Sequence, residues 1–119
     1  MDVLLVEDHA PNRLLITMLL EDDGHCVSTA STAAEARAAL DREIPDVVLM
    51  DVRLPDGDGL DVVRELRRQL RFDGVRIYAV TAHLMGEARE AALRAGCDGF
   101  FEKPLDTAAL LTTLREAPG

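Results

Sequence analysis

The chain contains no tryptophan, one tyrosine and three phenylalanines, so aromatic residues make up only 3% of it. With 48% apolar residues, its core must therefore be built largely from leucine, valine and alanine. Positive charge is also in deficit. The net charge of −9 argues against a nucleic-acid surface anywhere in these 119 residues. No apolar run approaches the roughly 20 residues of a membrane-spanning helix, so no membrane insertion is expected. Cysteine occurs twice, at Cys26 and Cys97, far apart and without metal-type spacing. Both are expected to be reduced packing residues, as in the cytosol. No basic segment precedes the first apolar run, so no signal peptide and a cytoplasmic location are expected.

Lysine is scarcer still. Lys103 is the only one, and the other twelve basic residues are arginine. Guanidinium is a broad planar fork, whereas ammonium is a compact point charge suited to a tight site facing a small anion. Chance within an arginine-biased composition explains a single lysine equally well. The case for Lys103 therefore depends on what else converges on it.

What is present is a regular alternation. Short apolar runs lie at Val3–Val6, Cys26–Ala30, Val47–Met50, Ile77–Val80 and Gly99–Phe101. Helical patterns follow them over Asn12–Asp22, Ala33–Arg42, Leu60–Gln69, Glu87–Ala95 and Thr107–Arg115. Thr32 with Glu35 reads as a capping box, and Gly96 as a helix stop. Near-continuous apolar strands mean burial on both faces. The pattern predicts one α/β domain over residues 1–119, a doubly wound five-stranded parallel sheet in flavodoxin-like order 2-1-3-4-5.

In such sheets the chemistry collects at the carboxyl ends of the strands. Glu7 and Asp8 follow the first strand, Asp51 the third, Thr81-Ala82 the fourth and Lys103-Pro104 the fifth. Three carboxylates about 4 Å apart repel by about 4 kcal/mol per pair at an effective dielectric near 20. They must either take up protons or hold a cation. An all-oxygen donor set favours Mg²⁺ over zinc. With an ammonium and a hydroxyl added, the cleft suits a phosphoryl group bound to one carboxylate.

Together these elements resemble response-regulator receiver domains of two-component and phosphorelay signalling. Glu7-Asp8 is similar to the family's acidic pair. Met50-Asp51-Val52-Arg53-Leu54-Pro55 with Asp58-Gly59 resembles its phospho-acceptor strand and the following turn. Val80-Thr81-Ala82 and Lys103-Pro104 resemble its two remaining signatures, and the match runs in order through the whole chain.

The resemblance implies that Asp51 receives a phosphoryl group from a partner's phosphohistidine. Asp8, Asp51 and the Arg53 backbone carbonyl would ligate Mg²⁺, with Mn²⁺ as a substitute, and Glu7 would act through water. Thr81 and Lys103 would contact the phosphoryl oxygens. Phe100 stands at the family's switch aromatic, which turns inward as Thr81 is drawn to the phosphoryl group, and lacks the usual hydroxyl. Arg53 and His83 occupy positions that tune phosphoryl lifetime, and the Lys103–Pro104 peptide is expected to be cis. The implied partners are a histidine kinase or histidine phosphotransfer protein, and a downstream protein target. The chain is not expected to be an enzyme in the usual sense.

The first helix is apolar over an unusual breadth. At 100° per residue, Leu14, Leu15, Ile16, Met18, Leu19 and Leu20 span roughly 240°, more than one face of a sheet can bury. Leu14 and Met18 should be exposed, either as scattered surface residues or as a docking patch. Receiver domains dock a histidine-bearing helical bundle there, which makes Asn12, Leu15, Met18, Pro104 and Leu105 contact candidates. Asn12 and Arg13 are expected to open this helix. Asp56 and Asp58 are expected to serve turn chemistry, and Tyr78 to pack within the fourth strand.

The expected output is protein contact, without a DNA-binding domain. A receiver from a larger hybrid histidine kinase fits equally. In another class stands a Mg²⁺-dependent aspartyl phosphohydrolase, which usually carries a second Asp two residues beyond the nucleophile, where this chain has Arg53. A flavodoxin-like nucleotide binder needs a phosphate-cradling loop where Glu7-Asp8 stands.

Overall fold

A computed structural model describes residues 1–82 and 87–116 of the chain; His83 lies outside the described residues. Strands β1 (Asp2–Val6), β2 (Cys26–Ala30), β3 (Val47–Asp51), β4 (Arg76–Thr81) and β5 (Gly99–Glu102) form one five-stranded sheet. Its order is β2-β1-β3-β4-β5, and every pairing is parallel. Between and after the strands lie α1 (Ala10–Asp22), α2 (Ala33–Arg42), α3 (Gly59–Arg67), α4 (Glu87–Ala95) and α5 (Thr107–Glu116). This is the doubly wound fold that the alternation predicts.

Strand residues alternate between two cores because successive side chains leave opposite faces. Leu4, Val6, Val48, Met50, Ile77 and Ala79 pack on one side, with residues of α2, α3 and α4. Val3, Leu5, Val47, Leu49 and Tyr78 pack on the other, with Ile16 and Leu20 of α1 and Leu110 and Leu114 of α5. All five residues of β3 are buried, which is why the four before Asp51 read as an unbroken apolar run. β2 lies at the sheet edge and is largely exposed. Cys26 shares that exposure, so the expectation of a packing role holds for Cys97 alone.

Two helix boundaries differ from expectation by two residues, and the others by one at most. α1 starts at Ala10, two residues early, with Pro11 in its first turn, where a missing N–H costs nothing. Asn12 and Arg13 thus lie within that turn. α3 ends at Arg67, and the chain passes through a 3₁₀ turn over Leu70–Phe72 that buries Phe72. Gly96 stops α4 at φ +111°, as expected. Thr32 caps α2 by accepting the Glu35 N–H at 3.0 Å. Glu35 reaches back one residue further than in a standard capping box, to the Ser31 N–H at 3.2 Å and the Ser31 hydroxyl at 2.9 Å.

Candidate functional site

The ends of β1, β3, β4 and β5 lie side by side, and ladder hydrogen bonds continue one residue beyond them. Glu7 N–H donates to the Ala30 carbonyl at 2.9 Å, Val52 N–H to Val80 at 3.0 Å and Lys103 N–H to Thr81 at 2.8 Å. The residues that follow each strand are therefore held in register before the loops diverge. The Lys103–Pro104 peptide is cis.

Asp51 and Glu7 are the buried ionisable residues of this end, only 4% and 3% exposed, whereas Asp8 faces solvent. One carboxylate oxygen from each of the three lies within 4.8 Å of the others. Lys103 Nζ stands over them, 2.8 Å from Asp51 Oδ2 and 3.4 Å from Glu7 Oε1. The other Asp51 oxygen, Oδ1, accepts the Arg53 backbone N–H at 3.1 Å. Glu7 Oε2 accepts the His9 N–H at 3.3 Å, and Arg13 Nη1 donates to the Glu7 carbonyl at 2.9 Å.

Burial, followed by the neighbouring Glu7 carboxyl, pushes the Asp51 pKa up to about 6 against the pull of Lys103. For Lys103, burial works against the charge. The hydrogen bond and attraction from Asp51, with Glu7 behind it, outweigh burial and raise its pKa above the ordinary lysine value. The result is a carboxylate that is costly to ionise alone and ready to accept positive charge.

Asp8, Asp51, Arg53, Thr81, Ala82 and Lys103 line a cleft of about 160 Å³. That volume exceeds several waters at about 30 Å³ each. A second groove of about 150 Å³ meets it at Lys103 and is lined further by Glu7, Asn12, Leu15, Pro104 and Leu105. Four of the five expected docking residues thus share one surface. Met18 lies outside the groove lining, but it is 59% exposed on the same helix, beside Leu14 at 62%.

Phe100 does not line the cleft. It is half-buried against the core of the α4 side, with the Arg89 guanidinium 4.8 Å from its ring centre. Tyr78 packs as expected, its ring 5.7 Å from that of Phe101.

Asp58 serves turn chemistry as expected, whereas Asp56 and Gly59 have roles that sequence reading missed. Asp58 caps α3 by accepting the Leu60 N–H at 2.8 Å. Asp56 accepts two N–H groups of α2. Gly59 sits under the end of β3, where a Cβ would collide with the Asp51 carbonyl oxygen and come within 2.9 Å of Met50 Cγ. The Asp-x-Asp-Gly spacing carried a hint of the Asp58 cap. The other two depend on contacts between segments and have no local signature.

Among known proteins, the family model for the response regulator receiver domain matches residues 3–115. The chain is 34% identical over 116 residues to an uncharacterized 14.6 kDa protein of Leptolyngbya boryana, covering 98% of this chain and 88% of that one. Other curated relatives are longer, and the chain spans 16% to 50% of their lengths. The receiver domain of the sensor histidine kinase PA1611 of Pseudomonas aeruginosa PAO1 superimposes with a TM-score of 0.88 at 34% identity. That match covers 98% of this chain and 95% of that one, and the PA1611 domain holds a magnesium ion in its active-site cleft. The chemotaxis protein CheY4 of Vibrio cholerae gives a TM-score of 0.91 at 29% identity, over 98% of both chains. Acidic residues, hydroxyl and lysine at adjoining strand ends agree with these likenesses: the chain belongs to the response regulator receiver domain family of two-component signalling.

Proposed function

We propose that the chain is a phospho-acceptor: Asp51 takes a phosphoryl group from phosphohistidine, and the change alters contacts with partner proteins. The observation that carries this reading is the placement of Asp51. It is buried at the floor of an open cleft, 2.8 Å from the ammonium of the chain's only lysine, with two further carboxylates within 4.8 Å.

The donor set suits a hard divalent cation, since it offers oxygen alone and leaves the Asp8 side open to water. Asp8, Asp51 and the Arg53 carbonyl would hold Mg²⁺ or its substitute Mn²⁺, with Glu7 acting through water. When bound, the ion supplies neutralising charge to the three carboxylates and to the phosphoryl oxygens. The other steps belong to the chain's own residues. An Asp51 carboxylate oxygen attacks phosphorus, the phosphorus–nitrogen bond of the donor breaks, and the imidazole leaves with its electron pair. Lys103 lets go of Asp51 and turns to a phosphoryl oxygen, and the Thr81 hydroxyl donates to another.

Arg53 at the cleft and His83, next after Ala82, are assigned to control of water access and hence of phosphoryl lifetime. Timing phosphate loss in alanine variants of each tests this, and unchanged rates in both remove it. Phe100 is assigned as the switch aromatic. Its ring resonances should move on phosphorylation; static ones would take it out of the switch.

The partners are a histidine kinase or phosphotransfer protein, docking on Asn12, Leu15, Met18, Pro104 and Leu105, and a downstream protein target. Residues 1–119 act as one receiver domain in the cytoplasm, whose output is protein contact. The 34% identity to the PA1611 receiver favours a second reading, a receiver working within a hybrid histidine kinase. Incubation with acetyl phosphate and Mg²⁺, followed by intact mass, tests the acceptor role. One phosphoryl group should appear on the unaltered chain and none on Asp51→Asn; equal uptake by both would defeat it.

A further inference from the structure

Between Asp51 and α3 the chain turns through a short hairpin in which Arg53–Leu54 pairs antiparallel with Gly57–Asp58. Its first arm holds the phospho-acceptor, because the Arg53 N–H donates to Asp51 Oδ1. Its second arm runs into α3 through the Asp58 cap and through Gly59, whose N–H donates to the Val52 carbonyl at 2.8 Å. The tip has no burial to fix it: Pro55, Asp56 and Gly57 are all exposed. What reaches it is a pair of long-range bonds. Asp56 Oδ1 accepts the Ala33 N–H at 2.8 Å and Oδ2 accepts the Ala34 N–H at 3.0 Å.

We propose that Asp56 is a positioning residue for the acceptor, tethering the hairpin tip to the first turn of α2 so that the Arg53 amide stays on Asp51. The anchor is rigid, since α2 buries Ala33, Ala36 and Leu40 against the core. The helix also has a cap of its own in Thr32, so the Asp56 bonds serve the hairpin as much as the helix. A carboxylate at a helix N-terminus makes charge-assisted bonds with free N–H groups, and these hold better than neutral ones. Leu54 and the Val52 ladder bond still hold the root of the first arm to the core. Releasing the tip therefore loosens the arm around Arg53 and weakens the Arg53 N–H bond to Asp51 Oδ1, which leaves Lys103 as the firmer hold on the carboxylate. The same arm carries the Arg53 carbonyl that the proposed function assigns to Mg²⁺, and to that extent the inference rests on that reading.

The test compares the unaltered chain with Asp56→Ala, Asp56→Asn and Thr32→Ala. Mg²⁺ affinity is measured by calorimetry, and the position of the Arg53 amide by its nitrogen and proton resonances without metal. Loss of a partner that orients a ligand costs metal affinity about 10-fold or more. Asp56→Ala should therefore weaken Mg²⁺ binding by about 10-fold and shift the Arg53 amide. Asp56→Asn keeps one acceptor oxygen and should fall between, while Thr32→Ala should leave both readouts near the unaltered values. The tether is refuted if Asp56→Ala binds Mg²⁺ normally with an unmoved Arg53 resonance. It is equally refuted if Thr32→Ala reproduces the loss, because general loosening of α2 would then be the cause. Should the unaltered chain bind Mg²⁺ yet take up no phosphoryl group, the acceptor reading falls, and the Arg53 resonance still decides the tether.

Discussion

Lys103 carries the compact positive charge of the cleft, and two contacts show why an ammonium suits the place. Nζ fits between Asp51 Oδ2 and Glu7 Oε1 at 2.8 and 3.4 Å, with its side chain 27% exposed. A guanidinium would enter as a plane and could not close on both oxygens from the same point. Lys103→Arg is expected to slow phosphorylation by acetyl phosphate about 100-fold, the scale on which one lost transition-state donor acts. A full rate in that variant would make the lone lysine an accident of composition. Gly59 gives a second test at this scale. Alanine there must push the Asp51 carbonyl or the Met50 side chain aside, so a loss of about 1–3 kcal/mol is expected from overpacking. Thermal unfolding of Gly59→Ala measures it, and an unchanged midpoint would show that β3 yields at no cost.

Among the elements, α1 exposes three large apolar residues on the face proposed above for partner docking. Ile16 and Leu20 bury the helix against the sheet, while Leu14, Leu15 and Met18 remain more than half exposed beside the groove at Lys103 and Pro104. Glutamate at Leu14 or Met18 is expected to slow transfer from a phosphohistidine protein about 10-fold, which corresponds to about 1.4 kcal/mol. Phosphorylation by acetyl phosphate should stay the same. If transfer from the protein donor is equally fast, the patch is ordinary surface leucine and methionine.

Elements of this kind were legible in the sequence wherever one local signal sufficed. Val47–Met50 announced a central strand because both its faces are buried, and Gly96 announced the end of α4 because it adopts positive φ. The four reactive strand ends followed from the order of the strands. The remainder was hidden for a physical reason. Asp56 looks like a turn residue until the fold brings it to Ala33, 23 positions away. Gly59 looks like a second turn glycine until the end of β3 is packed against it. Cys26 looked like a core residue, but β2 is an edge strand that leaves it exposed. The start of α1 lies two residues ahead of the expected one, because the first helical turn tolerates Pro11.

For the whole molecule, the cleft sets a trade between stability and readiness to bind cations. The Asp51 pKa rises from 3.8 to about 6 on folding, so the folded chain holds that proton more tightly than the unfolded one. This contribution to stability is complete below the unfolded value and is lost as the pH climbs through about 6. A rise of that size corresponds to about 3 kcal/mol. Asp51→Asn removes the titration. In metal-free buffer the variant should therefore gain stability relative to the unaltered chain by up to about 3 kcal/mol between about pH 4 and pH 7. Mg²⁺ should narrow that gap at neutral pH by binding the ionised, folded form. Denaturant unfolding across this window measures the gap, and one that stays flat would mean Asp51 ionises without penalty.

The most direct measurement of the central claim locates the phosphoryl group by its chemistry. An acyl phosphate on aspartate is reduced by borohydride to an alcohol, which an ordinary carboxylate resists, so treatment after exposure to donor and Mg²⁺ marks the acceptor. Peptide mass spectrometry should then find Asp51 alone converted to homoserine, and only where Mg²⁺ was present. Reduction at Asp8 or Glu7, or none at any of the three, would contradict the account.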